Sequence, residues 1–175
     1  MTNIIKIALV SIVLMFMNGC TPATFLQVKT PIPLKSKIQV VVPKDKKNKN
    51  IKVQNLEDFI WDKSKMPKQL AETFYTAAIY GKQHGYSYFA ITKKNTDNLS
   101  GFPINSFDEM LKYCQLKGKG HFRSMCWNYN RNGESIIIGD SVSLKVRYFK
   151  KPIPGLFLYN IDDTIKQTEK MILKG

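Results

Sequence analysis

The hydrophobic pattern changes period several times along the chain, and each change predicts an element. Residues Ile7 to Met17 are apolar apart from Ser11 and follow a short start whose one charge is Lys6. An export signal carries roughly 7 to 15 apolar residues at its centre, whereas a bilayer-spanning helix needs about 20, so this length predicts a cleaved leader. From Thr21 to Lys37 there is no helical period, and Pro22, Pro31 and Pro33 interrupt the chain, which predicts an extended tether. Ile38 to Pro43 is rich in β-branched residues and closes on proline, as an edge strand would. The lysine run Lys44 to Lys49 then reads as a solvated loop.

A helix is predicted over Pro67 to Gly85. Leu70, Ala71, Phe74, Ala77, Ala78 and Gly81 share one stripe, Lys68, Gln69, Glu72 and Lys82 fall outside it, proline opens it and glycine closes it. Small residues on that stripe let a sheet approach, and Tyr86 to Thr92 is the nearest candidate strand. Ser106-Phe107-Asp108-Glu109 has the form of a capping box, with Phe107, Met110, Leu111 and Cys114 following at helical spacing. His121 to Tyr129 reads as a strand that turns at Asn130 to Gly133 into Ile136 to Ile138. Ser141 to Phe149 alternates most cleanly, with Val142, Leu144, Val146 and Tyr148 on one face. Asn160 caps a last helix whose inward positions are Ile161, Ile165, Thr168 and Ile172. Together these predict an α+β fold, a small mixed or antiparallel sheet with helices packed on one face, as a single domain over 38–175.

Charge changes the picture of what surrounds this domain. The chain has 27 basic and 13 acidic residues, and the leader contains only Lys6, so 26 basic residues remain against 13 acidic ones, a net charge of +13. A cytoplasmic protein so basic would point to nucleic acid, whereas an exported one meets anionic lipid and envelope polymers.

Met17-Asn18-Gly19-Cys20 resembles the lipobox of bacterial lipoproteins. The resemblance implies a signal peptide over 1–19, fatty acylation of Cys20 as the first mature residue, and a lipidated tether over 20–37. Thr21, where Asp would mark inner-membrane retention, implies a lipid-anchored, periplasm-facing outer-membrane location. The competing reading is an ordinary leader cut near Gly19, or an uncleaved helix, with Cys20 a free thiol. Gly85-Tyr86-Ser87-Tyr88-Phe89 and Ser141 to Phe149 also resemble segments of small uncharacterised bacterial lipoproteins, a likeness of location and fold, not of activity.

In an oxidising periplasm the remaining pair, Cys114 and Cys126, is expected as a disulfide, which would stabilise by roughly 3 kcal/mol in the chain-entropy model. The alternatives are two buried thiols, a Cys and His121 nucleophile pair, or a metal site that lacks a fourth ligand. Phe122, Arg123, Trp127, Tyr129 and Arg131 are the candidate binding residues, because this insert is where exposed aromatics, and hence a binding surface, are expected. The aromatics Tyr75, Tyr80, Tyr86, Tyr88 and Phe89 could line a groove or form core. His84 near a helix end suits the helix dipole, as do Asp108 and Glu109 in a first turn. No His-Glu-x-x-His, Gly-x-Ser-x-Gly or phosphate-cradling loop occurs. The expectation is a non-catalytic lipoprotein without metal or cofactor, binding an envelope protein or anionic polymer. An unrecognised envelope enzyme, or a nucleic-acid-binding accessory of uptake or secretion, is the alternative.

Overall fold

The computed structural model describes residues 23–45, 49–57, 65–92, 99, 104–116, 136–138 and 141–174, with the backbone alone described over 113–116 and 136–138. The described strands are β1 (Ala23–Leu26), β2 (Ile38–Pro43), β3 (Ile51–Asn55), β4 (Tyr88–Ile91), β5 (Ile136–Ile138), β6 (Val142–Phe149) and β7 (Tyr159–Asn160). The helices are α1 (Met66–Gln83), α2 (Phe107–Leu116) and α3 (Ile161–Lys174). One antiparallel sheet runs in the order β1-β2-β3-β6-β4-β7, and β5 lies beside the first half of β6. The α+β class read from the sequence is the class of the fold.

Strand β6 sits centrally because its alternation supplies one complete apolar face. Val142, Leu144, Val146 and Tyr148 are buried with Val40, Val53, Phe89 and Ile91 from the neighbouring strands. Helix α1 lies on that face, and α3 packs along α1. Burying each such aliphatic or aromatic side chain contributes about 1.5–3 kcal/mol, so this layer carries most of the stabilisation. Phe74 of α1 meets Phe107 of α2 edge-on at 5.3 Å and Tyr159 of β7 at 5.4 Å, which ties three elements to one ring.

Helix ends follow local chemistry. At the end of α1, Gly85 has φ +72, its N–H donates to Lys82 O at 3.0 Å, and the Tyr86 N–H donates to Gly81 O at 3.0 Å. That is a Schellman ending, which needs a left-handed residue where glycine is least strained. The Asn160 side chain accepts from the Asp163 N–H at 3.1 Å, as its capping position predicts, and Ser106 accepts from the Glu109 N–H at 3.2 Å. Helix α2 gains a second cap from outside itself, because Gln167 Oε1 on α3 accepts from the Phe107 and Asp108 N–H groups at 3.0 and 3.3 Å.

Several expectations are corrected. Residues 23–26, expected within the tether, form β1 and pair with β2 from Ala23 opposite Pro43 to Leu26 opposite Val40, and Val28, Ile32 and Leu34 pack against the core. Strand β2 is consequently interior, and β1 takes the edge. Ile51–Asn55 is a strand that sequence reasoning passed over, although Ile51 and Val53 alternate with Lys52 and Gln54. Gln69 and Glu72, placed outside the apolar stripe of α1, are buried, because α1 is covered by sheet on one side and by α3 and the 32–36 segment elsewhere. Ile136–Ile138 pairs with β6; its expected partner, 121–129, lies outside the described residues.

Candidate functional site

Cys20, Cys126, His121, Phe122, Arg123, Trp127, Tyr129 and Arg131 lie outside the described residues, and Cys114 is placed on α2 by its backbone alone. Asp108 and Glu109 occupy the exposed first turn of α2, where carboxylates complement the helix dipole. The aromatic set divides: Tyr75 and Phe89 are fully buried, Tyr88 belongs to the opposite face of β4, and Tyr80 and Tyr86 gather around Tyr148 at one end of the sheet.

That end forms an open groove of 680 Å³. Its construction starts at Gly81, the only α1 position near Tyr148 without a side chain; a Cβ there would stand 2.6 Å from the Tyr148 ring and 2.7 Å from Ile161 Cδ1. The close approach lets the Tyr148 hydroxyl donate to Ala77 O at 2.7 Å. The Schellman turn then returns the chain so that Tyr86 stacks on Tyr148, with centroids 5.4 Å apart and planes at 29°. Tyr80 approaches Tyr148 at 5.7 Å from α1 and stacks on His84 at 4.1 Å, where His84 Nδ1 is 2.8 Å from Tyr80 O.

Lys49 and Arg147 stand on the same rim. Arg147 Nε donates to Asn50 Oδ1 at 3.1 Å, and Asn50 is itself buried, so the guanidinium leaves the sheet at a fixed angle. Among the described residues no carboxylate lines the groove. Burial pushes the Tyr148 hydroxyl well above the usual tyrosine range, with Tyr80 and Tyr86 adding to it, and burial followed by Tyr86 pushes Tyr80 up. Tyr148 and Tyr80 therefore remain neutral phenols, apolar plates with polar rims, and not bases. Aromatic faces beside two cations can receive a ligand that carries sugar-like or other flat apolar faces together with negative charge.

A second, smaller cavity of 340 Å³ lies at the start of α1, where Lys35, Lys65 and Lys68 surround Glu57, Gln69 and Glu72. Its carboxylates are engaged in holding backbone. Glu72 accepts from the N–H groups of Lys35 and Ser36 at 3.0 and 3.2 Å, and Glu57 accepts from the Lys37 N–H at 3.2 Å. The pair thus fixes the chain as it approaches β2. Burial, then the neighbouring Lys35, lowers the Lys68 pKa. Among the described residues no three His, Cys, Asp or Glu side chains gather as metal ligands would, and no helix is long and apolar enough to cross a membrane.

Of the groove residues, Lys49, Arg147 and Tyr148 escaped sequence reasoning as a site. Arg147 and Tyr148 were legible only as alternate positions of a strand, and Lys49 only as part of a lysine run; nothing local in the sequence says that the rim of β6 meets the end of α1. Comparison with known proteins finds no matching family model, no similar curated protein and no similar solved structure.

Proposed function

We propose that this chain is a lipid-anchored, non-catalytic envelope lipoprotein, attached through Cys20 to the outer membrane, that holds its basic domain in the periplasm and binds an anionic, hydroxyl-rich polymer. The resemblance of residues 17–20 to a lipobox and the net charge of +13 without the leader support the location and the sign of the partner. The observation that carries the binding reading is the groove, where Tyr80, Tyr86 and Tyr148 lie beside Lys49 and Arg147 with no acid among the described lining residues. Stacked rings offer apolar contact to sugar faces, and the cations answer carboxylate or phosphate groups.

Catalysis is the weaker reading. The cavity that brings two carboxylates together spends three of their oxygens on backbone N–H groups, whereas a general acid or base needs a carboxyl free to meet substrate.

The test is retention of the mature chain on an immobilised acidic glycan against its neutral counterpart. Binding to the acidic form, weakened tenfold or more in a Lys49→Ala, Arg147→Ala double variant, supports the reading. Equal retention on both matrices, or binding that ignores the double variant, overturns it. Specific crosslinking to one envelope protein with no glycan retention would make a protein the partner instead.

A further inference from the structure

Resting on the reading of Cys20 as the lipid anchor, we infer that β1 is a membrane-contacting edge, and that the domain lies edge-on against an anionic lipid surface instead of hanging from a tether. The relationship that carries this is the distance along the chain between the anchor and the sheet. Cys20 precedes Ala23, the first residue of β1, by three residues. Fully extended chain spans at most about 3.3–3.6 Å per residue, so the sheet edge lies within roughly 10 Å of the acylated position.

What that edge presents suits a lipid interface. Phe25 is 62% exposed and Leu26 36%, the two on opposite faces of the same strand. Side chains alternate across a strand, so an edge lowered between headgroups buries both. Lys29 and Lys44, both exposed, flank the strand, with Asp45 beside Lys44. On the sheet face away from the helices, the register continues from Phe25 through Val41 to Lys52 and then Lys145. Lys52, which is exposed, and Lys145 are directly opposite each other on that face, so it carries positive charge that suits anionic headgroups. A tilt towards this face brings the basic row to the headgroups while Phe25 enters the interface. At the other end of the strand order, β7 lies five strands away, about 24 Å at the usual strand spacing.

The experiment uses the full mature chain, acylated in cells, reconstituted into vesicles of phosphatidylethanolamine and phosphatidylglycerol with brominated acyl chains. Fluorescence of Phe25→Trp and of Phe157→Trp, the latter beside β7 and 40% exposed in the native chain, is read against the wild-type signal. At least threefold stronger quenching at position 25 is expected. Equal quenching at both positions overturns the inference, as does protection of position 25 that grows with protein density and marks pairing of β1 with a second copy. Should the variants misfold, the wild-type chain supplies its own readout: acetylation of Lys52 is expected to slow at least twofold on phosphatidylglycerol vesicles relative to phosphatidylcholine, and an unchanged rate overturns the inference. Mass spectrometry of the same preparation separates the two ideas. An unacylated Cys20 overturns the anchor and the inference together, whereas an acylated Cys20 with no quenching at position 25 overturns the inference alone.

Discussion

The Tyr148 hydroxyl donates to the Ala77 carbonyl at 2.7 Å, joining the central strand to the middle of the buried helix. Ala77 lies four residues before Gly81, the glycine over which the Tyr148 ring is seated. One tyrosine thus bonds to the helix at one turn and packs against it at the next, and it also forms the floor of the groove.

Two substitutions separate these roles. Tyr148→Phe removes one buried hydrogen bond while keeping the ring, and is expected to lower stability by about 1 kcal/mol. Gly81→Ala gains up to about 1 kcal/mol of helix propensity but forces overpacking that typically costs about 1–3 kcal/mol, so the net effect is destabilising. Urea midpoints of the two variants check both signs; a stabilised Gly81→Ala chain would show that the ring can move aside.

Glu72 is expected to matter for stability and not for any turnover. Its removal in Glu72→Ala takes the acceptor from the Lys35 and Ser36 N–H groups, which are part-buried and can turn to water, so the loss is expected to be about 1 kcal/mol. Glu72→Gln keeps one acceptor oxygen and is expected to lose less. Hydrogen exchange at Lys35 and Ser36, accelerated in the alanine variant ahead of the rest of the domain, would locate the effect.

Alkaline pH should destabilise the domain over a defined window. Tyr75 donates to Glu169 Oε1 at 3.1 Å, and burial, followed by that hydrogen bond and the Glu169 charge, raises its pKa from 10.0 to about 12. The folded state favours the neutral phenol, so this stabilisation is complete below the unfolded value of 10.0 and is lost as pH rises through about 12. Tyr148 and Tyr80 shift in the same direction. Thermal midpoints should fall between pH 10 and 12, and Tyr75→Phe should reduce the slope.

The groove predicts a charge effect and a ring effect that can be told apart. Arg147→Ala is expected to weaken binding of an acidic glycan and its salt dependence, since a hydrogen bond to a charged group is worth about 1.5–3 kcal/mol. Tyr86→Ala is expected to weaken binding with the salt dependence kept. Titration calorimetry at two ionic strengths distinguishes them.

Cys114 and Cys126 are expected to be joined in the exported chain. Thiol counting by mass after denaturation, with and without reductant, checks this, and reduction is expected to lower stability by roughly 3 kcal/mol.

The sequence alone determined the elements whose causes are local. Helix α1 begins beside Pro67 and ends at Gly85, β6 follows its own alternation, and α3 starts where Asn160 caps it, because side-chain period and capping act over a few residues. The excess of positive charge is legible in the same way. Tertiary structure decided everything that depends on a distant partner. Residues 23–26 have no strand pattern of their own and become β1 only because β2 offers hydrogen bonds, which moves the edge of the sheet from Pro43 to Phe25. Glu72 reads as a solvent-facing helix residue and is buried because the N–H groups of Lys35 and Ser36 arrive to bond it. The groove exists only where Gly81, Tyr86 and Tyr148 converge, and contacts between residues so far apart in the chain carry no local signature.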